Sequence, residues 1–366
     1  MYIHQNSKWP EFTWDRLKLA DLLTAVRYRQ GRLIGHMQAL GFSLREEAML
    51  QTLTQEVIKS SEIEGEVLDR DQVRSSLAKR LGIDIAGTVL ADRHVEGVVE
   101  MMVDATQNFD HPLTSDRLFD WHAALFPTGR SGMHKITVGG WRTGDKGPMQ
   151  VVSGAIGKEK NHYEAPDAAG LDEEMDVFLD WFNTGQDIDP VLKAALAHLW
   201  FVTIHPFEDG NGRIARAIAD MQLARADESP QRFYSMSSQI RKERNDYYDT
   251  LEKTQKGNMD ITAWLEWFLN CLDRALLATS DILANVIEKA KFWEKYVGTS
   301  LNERQRTMLD RLLNGIEGKM TSSKWAKMVK CSQDTATRDI HDLIAKGMLQ
   351  KEEAGGRSTS YIIQKT

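Results

Sequence analysis

Cysteine is nearly absent from this chain of 366 residues, with only Cys271 and Cys331, far apart in sequence. Neither has a companion at metal-ligand spacing, so a disulfide framework and a zinc module are excluded, and two reduced residues in or near a core are expected. Proline is scarce, with eight residues, so few helices are interrupted. No window holds the ~18 apolar residues of a membrane span. The opening Met1-Tyr2-Ile3-His4-Gln5-Asn6 lacks a basic stretch followed by an apolar run. A soluble, cytoplasmic protein with no membrane partner is expected. Basic excess is missing too: the net charge is −7 and the pI about 5.9. Such a chain is no general polyanion binder, and a nucleic-acid role must sit on a local patch.

What is present is ordinary globular material, 42% hydrophobic and 27% charged, enough for roughly two or three domains. Apolar residues recur at helical period over 14–40, 44–64, 69–82, 91–109 and 114–126. An irregular, glycine-rich stretch from Gly129 to Gly170 carries a β-hairpin expected from 149–152 and 161–164. Helices resume over 171–184, 190–204, 212–227, 240–256 and 260–290. Three short helices are expected over 301–314, 321–329 and 333–346, then strands over 348–353 and 358–363. There is no internal repeat.

The chemistry concentrates in His205-Pro206-Phe207-Glu208-Asp209-Gly210-Asn211-Gly212-Arg213-Ile214-Ala215-Arg216. The apolar helix 190–204 is stopped by His205-Pro206, Gly210-Asn211-Gly212 makes a tight loop, and a second helix starts near Arg213. Unpaired N–H groups at a helix start carry partial positive charge and cradle phosphate oxygens. The two glycines let the backbone come close. Arg213 and Arg216, three apart on the first turn, are placed for further phosphate oxygens. Asp209 supplies a carboxylate for Mg²⁺, which takes one or two carboxylates plus substrate phosphates. His205 supplies a general base for an incoming hydroxyl.

This string resembles the signature of the Fic family, H-x-F-x-[D/E]-G-N-G-R-x-x-R, at all eight specified positions. The resemblance implies transfer of AMP from ATP to a target hydroxyl. His205 would be the base, Phe207 the anchor of the loop, and Asp209 the Mg²⁺ ligand. Gly210, Asn211 and Gly212 would form the anion hole, and Arg213 and Arg216 would hold the β- and γ-phosphates. The phosphorylating Doc-type variant lacks the second glycine and the following arginine present here.

Further resemblances extend over most of residues 1–275. The region 136–166 is similar to the Fic flap, on which an extended target segment docks by strand addition; an ordinary surface loop is the alternative. Tyr248, in Asn245-Asp246-Tyr247-Tyr248, stands where the family closes the adenine pocket, or else packs in the core with Tyr247. Ser60-Ser61-Glu62-Ile63-Glu64-Gly65 resembles the inhibitory motif [S/T]-x-x-x-E-[G/N]. Ser60, Glu64 and Gly65 stand at its fixed positions, and by that resemblance Glu64 pairs with Arg213 and blocks the γ-phosphate site. One physical feature points the same way: Glu62, Glu64 and Glu66 crowd a helix C-terminus, where carboxylates oppose the dipole at about 0.3–1 kcal/mol each. Residues kept in a poor local position often have distant partners.

Residues 300–366 carry a net +4 against −11 for the remainder. Ser332–Ile340 resembles the recognition helix of DeoR-type winged-helix repressors, and Gly355–Tyr361 its wing. Thr335, Thr337 and Arg338 would reach DNA, whereas Asp334, Asp339 and Asp342 would repel it; a protein-contact role is the alternative. The expected fold is therefore mainly α, a Fic-type helical bundle with a β-hairpin flap plus a C-terminal winged-helix domain. Its parts are an N-terminal region 1–95 with the inhibitory helix, a catalytic domain 96–275, a linker helix 276–299 and the winged helix 300–366. The expected activity is protein adenylylation on Tyr, Thr or Ser, with ATP as substrate and Mg²⁺ as cofactor, autoinhibited by Glu64. Alternatives are a bifunctional enzyme that also removes AMP, and a nucleotide-sensing DNA-binding regulator. Several relatives self-associate, which makes a homo-oligomer a further expectation of the resemblance.

Overall fold

The computed structural model describes residues 2–153, 160–184, 187–316, 318–352 and 359–364. It divides into two compact units, residues 1–81 with 90–283 and residues 82–89 with 284–366.

The first unit is mainly helical. It contains α1 (Arg16–Gln38), α2 (Phe42–Ile63), α3 (Arg70–Leu81), α4 (Arg93–Gln107) and α5 (Ser115–Leu125), then α6 (Leu171–Thr184), α7 (Pro190–Ile204), α8 (Asn211–Asp227), α9 (Met236–Lys242) and α10 (Arg244–Gln255). Helix α11 (Thr262–Lys295) gives its first part to this unit and its last part to the second. The expected single helix over 240–256 is two. Glu243 leaves helical torsions at φ −108° and ψ 29°, and its carboxylate is gripped by both Nε and Nη2 of Arg274 on α11 at 2.5 Å. A tertiary clamp thus overrides local helix preference.

The core is built on α7, which packs along α8. Asp189 caps α7 by accepting from Val191 N–H, and Pro190 occupies its first turn, where no N–H is needed. Every residue from Val191 to Ile204 is buried, so this helix is apolar all round because other elements cover all its faces. A buried polar network ties α2 to the start of α9, and the segment before α9 to α8. Glu56 accepts from Ser235 Oγ at 2.6 Å and from Ser237 N–H. Arg232 bridges Asp220 on α8 and Asp227, each at 2.9 Å. Breaking such a network strands buried charge, so it holds α2, α8 and the segment into α9 firmly.

Two small antiparallel ribbons flank this bundle. Strands β1 (Arg130–Ser131) and β2 (His134–Lys135), unforeseen in the sequence, precede the expected hairpin of β3 (Gln150–Ser153) and β4 (Lys160–Glu164). That hairpin pairs Gln150 with Glu164 and Ser153 with Lys160, with a register shift at Val151/Val152. Residues 154–159 of the expected flap, including Gly154, lie outside the described residues.

The second unit holds α12 (Glu303–Leu313), α13 (Ser322–Met328) and α14 (Gln333–Ala345), with β5 (Leu349–Lys351) antiparallel to β6 (Tyr361–Ile363). Asn302 and Gln305 form a capping box on α12, and Thr321 and Ser332 cap the next two helices. Phe292, Met308, Leu309, Trp325, Ile340 and Leu343 form the heart of its core. The glycines expected in a wing, Gly355 and Gly356, lie outside the described residues.

Candidate active site

The turn between α7 and α8 brings the motif together. His205 ends α7 in the left-handed region (φ 53°, ψ 56°), and Gly210, at φ 83°, caps α8. Phe207 is fully buried, stacked on His122 of α5 with ring centroids 4.1 Å apart. Asn211 staples the loop: its Oδ1 accepts from Phe207 N–H at 3.0 Å and its Nδ2 donates to Phe207 C=O at 2.8 Å. The side chain of Asn211 thus builds the loop, leaving only its backbone N–H for an anion.

His205 Nδ1 donates to the carbonyl of Val202 at 3.3 Å. That bond fixes the tautomer and leaves Nε2 with its lone pair. Burial lowers its pKa from 6.5 to about 4, so the imidazole is neutral at physiological pH, as a base must be. Arg142, ahead of the hairpin, donates from Nε to the His205 carbonyl at 2.8 Å and from its backbone N–H to the Pro206 carbonyl.

Asp209 is held from three sides. Its Oδ2 accepts from Ser131 Oγ on β1, its Oδ1 from Gly210 N–H at 2.6 Å, and its carbonyl from His122 Nε2 at 3.2 Å. Burial lowers the His122 pKa to about 4, so this imidazole too is neutral. A lone carboxylate of fixed orientation beside a phosphate-binding turn is a hard oxygen donor of the kind Mg²⁺ accepts when phosphate oxygens complete the shell. The residues present therefore fit that ion through Asp209.

Arg213 and Arg216 are almost fully buried. Arg213 Nε and Arg216 Nη1 are buried N–H donors with no acceptor among the described residues. Buried unpaired donors beside a helix start mark a place for anionic oxygens. That place is taken by the protein itself. Glu64 Oε1 lies 2.8 Å from Arg216 Nη2, and a Cβ built on Gly212 would stand 2.3 Å from the same oxygen. Only glycine at 212 lets this carboxylate reach the start of α8.

The expected pairing of Glu64 with Arg213 is corrected here. Glu64 pairs with Arg216, and so does Ser60, whose Oγ and carbonyl accept from Arg216 Nε and Nη2, both at 2.9 Å. The two arginines share one helix face, so spacing alone cannot choose between them. The register of α2 on α8 decides. Arg213 instead donates from Nη1 to Glu66 at 2.6 Å, a residue the motif does not include. The crowding of three glutamates at the end of α2 did signal it, and each has a cation: Glu62 pairs with Lys59 and Arg241, Glu64 with Arg216, Glu66 with Arg213.

Tyr248 lies on the rim, its hydroxyl 3.4 Å from Glu64 Oε2 and its ring facing Arg244. Its neighbour Tyr247 is a core residue, bonded to His198 at 2.9 Å.

These features can now be set beside known proteins. Residues 112–223 match the Fic/DOC family. Residues 2–83 match a domain of unknown function, DUF4172. The protein adenylyltransferase Fic of Drosophila willistoni is 27% identical over 298 residues, 76% of this chain and 53% of the relative. This chain spans about half the length of the curated relatives it matches. Its fold is similar to a Fic family protein from Desulfovibrio desulfuricans G20, with a TM-score of 0.52 and 19% identity, over 97% of this chain and 98% of that one. It is also similar to a Fic domain containing signaling protein from Bacteroides thetaiotaomicron VPI-5482, with a TM-score of 0.53 and 21% identity, over 71% and 97%. Among the described residues no helix is long and apolar enough to cross a membrane. The Fic/DOC segment thus contains the whole string from His205 to Arg216, while Glu64 lies in the other matched segment.

Proposed function

We propose that this protein transfers AMP from ATP to a Tyr, Thr or Ser hydroxyl of a target protein, and that Glu64 holds the resting site off. One observation carries the reading: a neutral imidazole whose Nε2 keeps its lone pair and a glycine-capped helix start lie on a single six-residue turn, beside two buried arginines that, among the described residues, have donors to spare. Curated relatives named protein adenylyltransferases support it.

The chemistry follows from these positions. Nε2 of His205 takes the proton of the target hydroxyl as its oxygen attacks the α-phosphorus. The bond from that phosphorus to the bridging oxygen breaks, and pyrophosphate leaves with the electron pair. The backbone N–H groups at the start of α8, with Arg213 and Arg216, hold the negative charge that builds on the phosphates. Mg²⁺ on Asp209 would neutralise phosphate charge. Glu64 lies against Gly212 and Arg216, so ATP cannot set its terminal phosphates there until the carboxylate withdraws. Strand β3 is largely exposed, and β4 is tied to α10 by His162 and Glu252 at 2.5 Å. That arrangement supports docking of an extended target segment along the β3 edge.

Residues 300–366 are read as a winged-helix module that docks on duplex DNA through α14. The acidic residues of α14 weigh less against this than their number suggests. Asp339 is buried, bonded by Asn302 and Arg304, and Asp342 is bound by Lys346 and Gln305. Arg338 stays exposed.

The deciding experiment is transfer from labelled ATP to the protein itself and to lysate proteins. Glu64→Gly is expected to raise transfer by about tenfold, the effect of removing an opposing interaction of roughly 1.4 kcal/mol. His205→Ala, alone or on Glu64→Gly, is expected to abolish it. No label transfer by Glu64→Gly would overturn the proposal.

A further inference from the structure

The inhibitory string ends at Gly65, yet the chain offers a second carboxylate to the same site. Helix α2 closes in a turn where Glu66 N–H bonds to Ser61 C=O at 3.0 Å and Gly65 N–H to Glu62 C=O at 3.1 Å. Gly65 sits at φ 88°, the left-handed torsion this closure requires. The reversal presents Glu64 and Glu66 to two different arginines of α8. Glu64 meets Arg216. Glu66 Oε2 meets Arg213 Nη1 at 2.6 Å and is held from its other side by His94 Nε2 at 3.2 Å, in the first turn of α4. Arg213 is 1% exposed and lies over the Phe126 ring at 5.1 Å.

We propose that Glu66, braced by His94, is a second occupant of the phosphate site, so that the resting protein discriminates among nucleotides by the length of their phosphate chain. The inference rests on the transferase reading and deepens it. Arg213 is one of the two guanidiniums placed for the outer phosphates, and Glu66 occupies its Nη1 internally. A nucleotide with β- and γ-phosphates must displace Glu66 to use Nη1 of Arg213. AMP, with its single phosphate at the helix start, need not. Burial pushes the Glu66 carboxyl up, but the hydrogen bond from His94 and the charge of Arg213 outweigh it and hold it below the ordinary range. The carboxylate is therefore charged in the resting state. The hydrogen bond to Glu66 in turn raises His94 above the ordinary histidine value, against its own burial.

The test is calorimetric binding of AMP, ADP and ATP, each with Mg²⁺, to the wild-type chain and to Glu66→Ala, Glu66→Gln and His94→Ala. Glu66→Gln keeps the shape and removes the charge, which guards against a packing defect. Both Glu66 variants are expected to bind ATP about tenfold more tightly, as for loss of one partly screened ion pair, with AMP affinity within about twofold. His94→Ala should move in the same direction by less. Equal shifts for AMP and ATP in both Glu66 variants, or no shift for ATP, would overturn the inference. This readout does not depend on transfer. Glu64→Gly without transfer sinks the transferase reading, whereas transfer by Glu64→Gly with unshifted ATP binding in the Glu66 variants sinks only the second carboxylate.

Discussion

In the proposed transfer His205 is the base, and its surroundings set the pH at which it can act. Burial favours the neutral imidazole and takes its pKa to about 4. Protonation removes the base, so activity is lost as pH falls through the folded value and is intact above it. In Glu64→Gly, kcat/KM is therefore expected to stay level from neutral pH to about 5 and to halve near about 4, whereas an unperturbed histidine would halve it near about 6.5. A rate profile across that range checks this, and a midpoint near the ordinary histidine value would show that His205 is not so buried while working. The residues that frame this base were legible in the sequence to different depths. The string from His205 to Arg216 singled out the candidate base, the loop and the arginines, because their chemistry is local. Arg142, Ser131 and His122 were not assigned roles, since each contributes through contacts made only once α5, β1 and the hairpin approach the loop.

At the scale of elements, the end of α2 acts as one device. The closure at Gly65 sets the spacing of Glu64 and Glu66 against Arg216 and Arg213, and the bonds of Glu56 and Arg232 hold α2 and α8 to the segment that leads into α9. Gly65→Ala places a Cβ in a left-handed torsion, a strain of about 1–2 kcal/mol. It is expected to loosen both carboxylates together. Its thermal midpoint should fall by a few degrees while its ATP affinity rises, and a fall in both would contradict the coupling. The extent of α2 could be read from apolar periodicity. Its partner could not, because Arg213 and Arg216 lie on one face and periodicity carries no information on register between helices. The break between α9 and α10 escaped for a related reason: no proline or glycine marks it, and it depends on Arg274 from a distant helix.

For the whole molecule, charge separates the two proposed roles. Residues 300–366 are net positive in a chain that is net negative, which suits a local contact with phosphate better than attraction of the entire protein to DNA. Binding of the full chain to random duplex DNA is expected at 50 mM salt and should weaken steeply by about 200 mM. No binding at the lower salt would assign α14 to protein contacts instead. The central claim, that a complete AMP-transfer site is held closed by its own carboxylate, is tested most directly by the intact mass of Glu64→Gly after incubation with ATP and Mg²⁺, alone and with a lysate of target proteins. The account predicts addition of AMP to the protein or to a captured target, much less with wild type, and none with His205→Ala on the same background. An unmodified mass throughout would contradict it.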